Sequence, residues 1–184
     1  MEYTMTIAGL ERKLPICPLN DKLQIAGFVM FGDVELTVAC AKALLEKAPE
    51  YDVMITAESK GIPLVYEMAR QRGGERWLLA RKKPKAYMQR VLSCDVQSIT
   101  TAGMQTLYID GPDADFMRGK RVLIVDDVIS TGESLRALEE LVNKAGGNIV
   151  GCMAILAEGD ATKRDDIIYL EKLPLFDKDG KPID

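Results

Sequence analysis

Two adjacent carboxylates, Asp126 and Asp127, stand between an apolar run and a small, hydroxyl-rich turn in the stretch VLIVDDVISTGES at 122–134. Like charges side by side repel, so packing alone gains little from the pair. A ligand changes that balance, because carboxylates accept hydrogen bonds from vicinal hydroxyls or face a magnesium ion. The residues that follow, Ser130, Thr131, Gly132, Glu133 and Ser134, combine hydroxyls with a glycine, so their backbone N–H groups can approach a phosphate closely. A diol on one side and a phosphate on the other describe a ribose 5-phosphate. A DD pair or an STG turn alone would serve equally well as a helix cap. The apolar run, DD, two apolar residues and STGES in that order point instead to a ligand site. The chain has no GxxxxGK[ST] stretch, which argues against an ordinary P-loop NTPase.

Such a turn needs a strand before it and a helix after it. RVLIV reads as a buried strand, while Leu135, Leu138, Leu141, Val142 and Ala145 form a helical stripe that stops at Gly146. The turn therefore joins the C-terminal end of a strand to a helix N-terminus, the edge at which open α/β sheets bind ligands. Strand and helix signals alternate around it. A helix from Asp33 ends before Pro49, and YDVMITA is followed by IPLVYEMARQR, stopped by Gly73 and Gly74. RWLLARK precedes the DD strand, and NIVGCMAILAE follows the last helix. This is the pattern of βαβ units, so the expected class is α/β, a central, mostly parallel sheet flanked by helices.

The remaining segments fit around that core. YTMTIAGLERKLPICPL alternates on both sides of Gly9 and predicts a small hairpin or a pair of edge strands, an N-terminal flap within 1–32. KKPKAYMQRVLSCDVQSITTAGMQTLYID, at 82–110, reads as two strands or a long excursion. Its 84–104 portion has the length of a functional lid. The tail IIYLEKLPLFDKDGKPID suggests one more strand before fraying. At 184 residues the whole fits a single domain.

Composition narrows the chemistry. The net charge of −4 argues against whole-surface binding to nucleic acid or anionic lipid, so any anion site must be local. No run reaches the length of a membrane span, and a cytoplasmic location is expected. The four cysteines show no CxxC spacing. The absence of histidine removes the commonest general base and every Ser-His or Cys-His nucleophile pair.

VLIVDDVISTGES resembles the phosphoribosyl pyrophosphate (PRPP) motif of type I phosphoribosyltransferases. The likeness extends over about 51–158 and is strongest toward the adenine and xanthine enzymes. It implies that Asp126 and Asp127 hold the ribose hydroxyls while 130–134 cradle the 5-phosphate. ITAESKGIPL resembles the family's pyrophosphate loop, with Ser59, Lys60 and Gly61 on its contact positions and Lys60 facing the departing pyrophosphate. ARKK resembles a basic segment whose residues contact pyrophosphate, in part across a dimer, which assigns Arg81, Lys82 and Lys85 to PRPP. LQIAGFVMFGD resembles the hood over the purine, with Phe28, Val29 and Met30 facing the base; Phe28 is equally a candidate core residue. Met30 is apolar where xanthine enzymes carry an amide, which favours adenine. Glu158 matches a strand-end glutamate near the site, and a surface strand end explains it as well.

Within the lid the family's adenine enzymes carry acidic residues, one of them assigned to proton transfer. Here Asp95 is the only acid, a proton carrier or an exposed loop aspartate. The resemblance further implies Mg²⁺ bound through PRPP near Asp126 and Asp127, a homodimer, and transfer of the phosphoribosyl group to adenine in purine salvage. Xanthine, hypoxanthine or a modified purine are the alternative bases. A non-catalytic PRPP-binding regulator is the alternative role.

Overall fold

The computed structural model describes residues 1–97 and 104–183. Strands β1 (Glu2–Ile7) and β2 (Leu10–Pro18) form the expected hairpin. Ala8 and Gly9 turn it with φ of 49° and 82°, the left-handed pair that a two-residue hairpin turn requires. After β3 (Leu23–Ala26) comes α1 (Val34–Lys47), where the Asp33 carboxylate accepts the Leu36 N–H at 3.0 Å as a cap. Arg12 on β2 pairs with Asp33 at 2.6 Å and Glu35 at 2.8 Å, tying the hairpin to that helix.

The core follows in the expected order. β4 (Val53–Ala57) leads to α2 (Ile62–Arg72), which stops at a left-handed Gly73, and then to β5 (Leu78–Ala80). β6 (Leu92–Gln97) and β7 (Met104–Ile109) form an antiparallel hairpin, and α3 (Gly111–Met117) carries Pro112 in its first turn. β8 (Arg121–Ile129), α4 (Glu133–Ala145) and β9 (Asn148–Glu158) form the central crossover. A short 3-10 turn (Gly159–Lys163) leads to β10 (Ile167–Leu173), β11 (Leu175–Asp177) and β12 (Pro182–Ile183).

The main sheet has the order β10-β9-β8-β4-β5, and all its pairings are parallel. Its two faces bury separate apolar cores. Val122, Ile124, Leu135, Leu138 and Leu141 pack on the α3–α4 side with Leu107 and Ile109 of the hairpin. Leu123, Val125, Leu36, Leu44, Leu64 and Met68 pack on the α1–α2 side, with Ile7, Leu14 and Phe176. Among the described residues no helix is long and apolar enough to cross a membrane.

One expectation changes. The C-terminal tail does not fray after one strand: β11 and β12 extend the N-terminal hairpin into a second sheet, β1-β2-β3-β11-β12. Its Asp/Lys/Gly end is a closed turn, in which Asp177 accepts the N–H groups of Asp179 and Lys181, both at 2.9 Å. The Gln24 side chain donates to the Asp177 and Lys178 carbonyls across that sheet. Within 82–110 the two strands that the sequence allowed are present as β6 and β7. Residues 92–97 are strand, and the start is pinned where Asp110 accepts the Gln89 N–H at 2.7 Å and Arg90 pairs with Asp115. The part of the expected lid at 98–103 lies outside the described residues.

Candidate active site

Parallel strands end on one edge, so Ala57 of β4, Ala80 of β5, Ile129 of β8 and Glu158 of β9 all open toward the same place. The DD pair lies inside β8 rather than in the turn after it, and β8 stays paired with β9 as far as Ile129. That pairing holds both carboxylates on buried, rigid backbone. Asp127 is 4 % exposed. Its Oδ2 takes no hydrogen bond from the described residues other than the charge contact with Lys60 Nζ, 3.0 Å away. Asp126 Oδ1 accepts the Asp127 N–H at 2.8 Å. Burial first, and then the adjoining charge of Asp127, push the Asp126 carboxyl up to about 7. The pair is a desolvated acceptor set held against one cation.

Beyond Ile129, residues 130–132 form the turn, and Gly132 caps α4 with φ 78°, a conformation that favours glycine. Glu133 and Ser134 open the helix. The N-terminus of α4, with its partial positive charge, lies beside the turn where the sequence placed the phosphate.

The 58–61 loop packs directly on this unit. A β-carbon at Gly61 would come within 2.2 Å of Thr56 Oγ1 and 3.4 Å of Asp126 Oδ1, so only glycine lets the loop approach. Lys60 is thereby aimed at Asp127 while its side chain stays 45% exposed, and Ser59 precedes it in the turn. Burial also raises the Glu158 carboxyl above its ordinary range, against the lowering effect of Lys60 nearby.

The basic segment divides. The register Ala57↔Ala80 makes Glu58 and Arg81 the next neighbours across β4 and β5. Arg81 Nη1 meets Glu58 Oε1 at 2.5 Å, and the Lys82 N–H donates to Glu58 Oε2 at 2.9 Å. Arg81 Nη2 donates to the Tyr87 hydroxyl at 2.6 Å. Lys82 and Lys85 are exposed.

The residues expected at the base are placed differently again. Phe28 (4 % exposed) and Met30 (0 %) are buried among Leu36, Leu64 and Met68, while Val29 between them is 60 % exposed. Asp95 is exposed on β6 and accepts the Thr106 hydroxyl at 2.6 Å, within its own hairpin. Ser93 meets Lys144 and Cys94 meets Glu140, so β6 runs toward the N-terminal end of α4. With Cys94 turned to that helix, Asp95 projects to the other side.

A magnesium ion held through PRPP fits this donor set. Among the described residues no cluster of three or more His, Cys, Asp or Glu could hold a metal alone, yet Asp126 and Asp127 offer buried carboxylate oxygens on the ligand edge.

Residues 35–179 match the phosphoribosyl transferase domain family. The chain belongs to that family. Among curated relatives, an adenine phosphoribosyltransferase of Rubrobacter xylanophilus is 32% identical over 123 residues, 66% of this chain and 63% of the relative. The match thus spans a little under two thirds of that relative's length. An adenine phosphoribosyltransferase of Rhodococcus jostii is 34% identical over 128 residues, 69% of each chain. The crystal structure of adenine phosphoribosyltransferase from Rhodothermus marinus superposes with a TM-score of 0.70 at 27% identity, covering 87% of this chain and 94% of that one. The parallel α/β core is the one expected from the order of elements, and the phosphoribosyltransferase fold is the one the resemblance implies.

Sequence reasoning missed Glu58, Tyr87 and Arg164. Glu58 adjoins the recognised loop, but its tie to Arg81 depends on β4 and β5 being neighbours in register. Arg164 lies in a segment with no motif, and its Nη1 would stand 2.9 Å from a β-carbon on Gly132.

Proposed function

We propose that this phosphoribosyltransferase moves the 5-phosphoribosyl group from PRPP to a purine, with adenine as the base, releasing pyrophosphate. The observation that carries the proposal is the joining of a buried carboxylate pair, a lysine 3.0 Å from it and a glycine-capped helix N-terminus on one sheet edge. In the reaction the ribose C1–O bond to pyrophosphate breaks, the C1–N9 bond forms and the N9 proton leaves. Asp126 and Asp127 accept the 2- and 3-hydroxyls, and residues 130–134 hold the 5-phosphate. When pyrophosphate carries the developing negative charge, Lys60 exchanges Asp127 for it, with Ser59 and Gly61 shaping the loop and Lys82 and Lys85 adding charge. Mg²⁺ would supply further stabilisation of the leaving oxygens.

The base rests against the 27–30 segment. With Phe28 and Met30 turned into the core, the backbone and Val29 face it, which suits recognition of an aminopurine through main-chain groups. Glu158 at the strand end, and Asp95 once it leaves the Thr106 hydroxyl, are the candidate acids for the proton. The exposed apolar residues Val29, Phe31, Val34, Val38 and Tyr66 support the homodimer that the resemblance implies. A cytoplasmic role in purine salvage accords with this chemistry.

The test is pyrophosphate release from PRPP and Mg²⁺ with adenine, hypoxanthine, guanine and xanthine offered separately, using the Asp126→Asn/Asp127→Asn double variant as the blank. Turnover with adenine, absent in the blank, is the expected result. One observation favours a second reading: Arg81, expected on pyrophosphate, is occupied by Glu58 and Tyr87. Tight PRPP binding without turnover on any purine would make the chain a PRPP-responsive regulator.

A further inference from the structure

One cation at the phosphate turn comes from outside the β8–α4 motif. After Glu158 the chain passes through the 3-10 turn to Ile167, and Ala161 and Ile167 join the same core as the buried stripe of α4. The crossover therefore runs along the α4 face of the sheet. Arg164 stands at its middle, with a side chain only 33% exposed. Its Nε and Nη2 donate to the two oxygens of Asp166 at 2.8 and 2.5 Å, a fork that fixes the guanidinium plane. The remaining nitrogen, Nη1, faces Gly132, 2.9 Å from where a β-carbon would be. A side chain at 132 would thus be strained by its φ of 78° and would also displace Arg164.

We propose that Arg164 is a further binding residue for the 5-phosphate. The inference rests on the phosphoribosyl reading of the site. A helix N-terminus presents only about half a positive charge, whereas a phosphate monoester near neutral pH carries close to two negative charges. Glu133 at the first turn of α4 adds another negative charge beside it. A guanidinium held in place before the ligand arrives offsets both, and loses little freedom when it binds. Asp166 does not cancel this, because it is the more exposed partner and uses Nε and Nη2, leaving Nη1 beside Gly132.

The effect is separable from Lys60, which serves the other end of PRPP. Arg164→Ala and Arg164→Lys would be compared in the full-length chain by calorimetric titration with ribose 5-phosphate and with pyrophosphate, and by steady-state KM values for PRPP and adenine. Arg164→Ala is expected to weaken ribose 5-phosphate binding and raise KM for PRPP by about tenfold or more, the loss of one charge-assisted hydrogen bond. Pyrophosphate binding and KM for adenine stay unchanged, and Arg164→Lys recovers part of the loss. Should the alanine variant fail to fold, Arg164→Gln carries the same comparison. Equal weakening of ribose 5-phosphate and pyrophosphate, or no change in either, would overturn the assignment. A wild-type chain that binds neither ligand would sink the phosphoribosyl reading, and this inference with it.

Discussion

The two halves of the ligand edge are built differently. On the half proposed for the phosphoribosyl group, charge is fixed by contiguous chain: β8 carries Asp126 and Asp127, Gly132 ends the turn, and α4 begins at once. On the half proposed for the base, three of the side chains that the sequence offered are engaged elsewhere. Phe28 and Met30 fill the core, and Asp95 takes the Thr106 hydroxyl. One half presents side-chain chemistry and the other presents mainly backbone and shape. On the proposed reading, this build separates the handling of the sugar phosphate from the choice of base.

The largest test of that contrast is the Asp126→Asn/Asp127→Asn double variant. Loss of acceptors for the ribose hydroxyls should lower kcat/KM by about a thousandfold, comparable to removing preorganised donors elsewhere in catalysis. Thermal unfolding should show no matching loss, because the change removes buried like charges. A large fall in Tm alongside lost activity would make the pair structural and erase the contrast.

Lys60→Met should rank next. A loss of about a hundredfold in kcat/KM is expected if Lys60 faces the leaving pyrophosphate, with weaker pyrophosphate binding measured directly. A variant that loses stability but keeps pyrophosphate affinity would show that Lys60 only neutralises buried Asp127.

On the other half, Phe28→Ala should act through folding. A buried phenylalanine truncated to alanine costs about 3 kcal/mol or more, read as a lowered Tm, while KM for adenine in the folded fraction stays within about twofold. A preserved Tm with a sharply raised adenine KM would instead make Phe28 a stacking face and bring the two halves closer in kind.

This difference also explains what was legible in the sequence. The βαβ core follows from periodicity, and the DD–STGES unit is local, so residue order alone places its parts. Lys60 meets Asp127 because β4 and β8 are neighbours in the sheet, an adjacency that the α/β class alone does not give. The Glu58–Arg81 tie needs a strand register, and Arg164 needs the path of a crossover; neither leaves a local pattern. Phe28 was ambiguous for a physical reason, since an aromatic side chain satisfies a core and a base equally well. The tail was misjudged because its polar turn, 177–181, is closed by hydrogen bonds that composition does not display.

The smallest expected effect is on pH dependence, and it probes the phosphoribosyl half without a ligand. Asp126 is raised from 3.8 to about 7, because burial and then the neighbouring charge disfavour its ionised form. In the unfolded chain both influences vanish. A group whose folded value lies above its unfolded value contributes stability that is complete below about 4 and is lost as pH rises through about 7. Other carboxylates act in the opposite sense at lower pH. The Arg121 partner of Asp52 holds its carboxyl down to about 2, so its contribution is present at neutrality and fades in acid. The difference between wild type and Asp126→Asn isolates the first effect. Its slope should favour the asparagine variant increasingly between pH 4 and 7, by at most about 1.4 kcal/mol per pH unit, and level off above. Unfolding curves of the two proteins across that range, without PRPP, measure it. Parallel Tm profiles would mean that Asp126 is ionised at little cost, solvated like a surface carboxylate, and that the ribose side of the edge is no more sheltered from water than the base side.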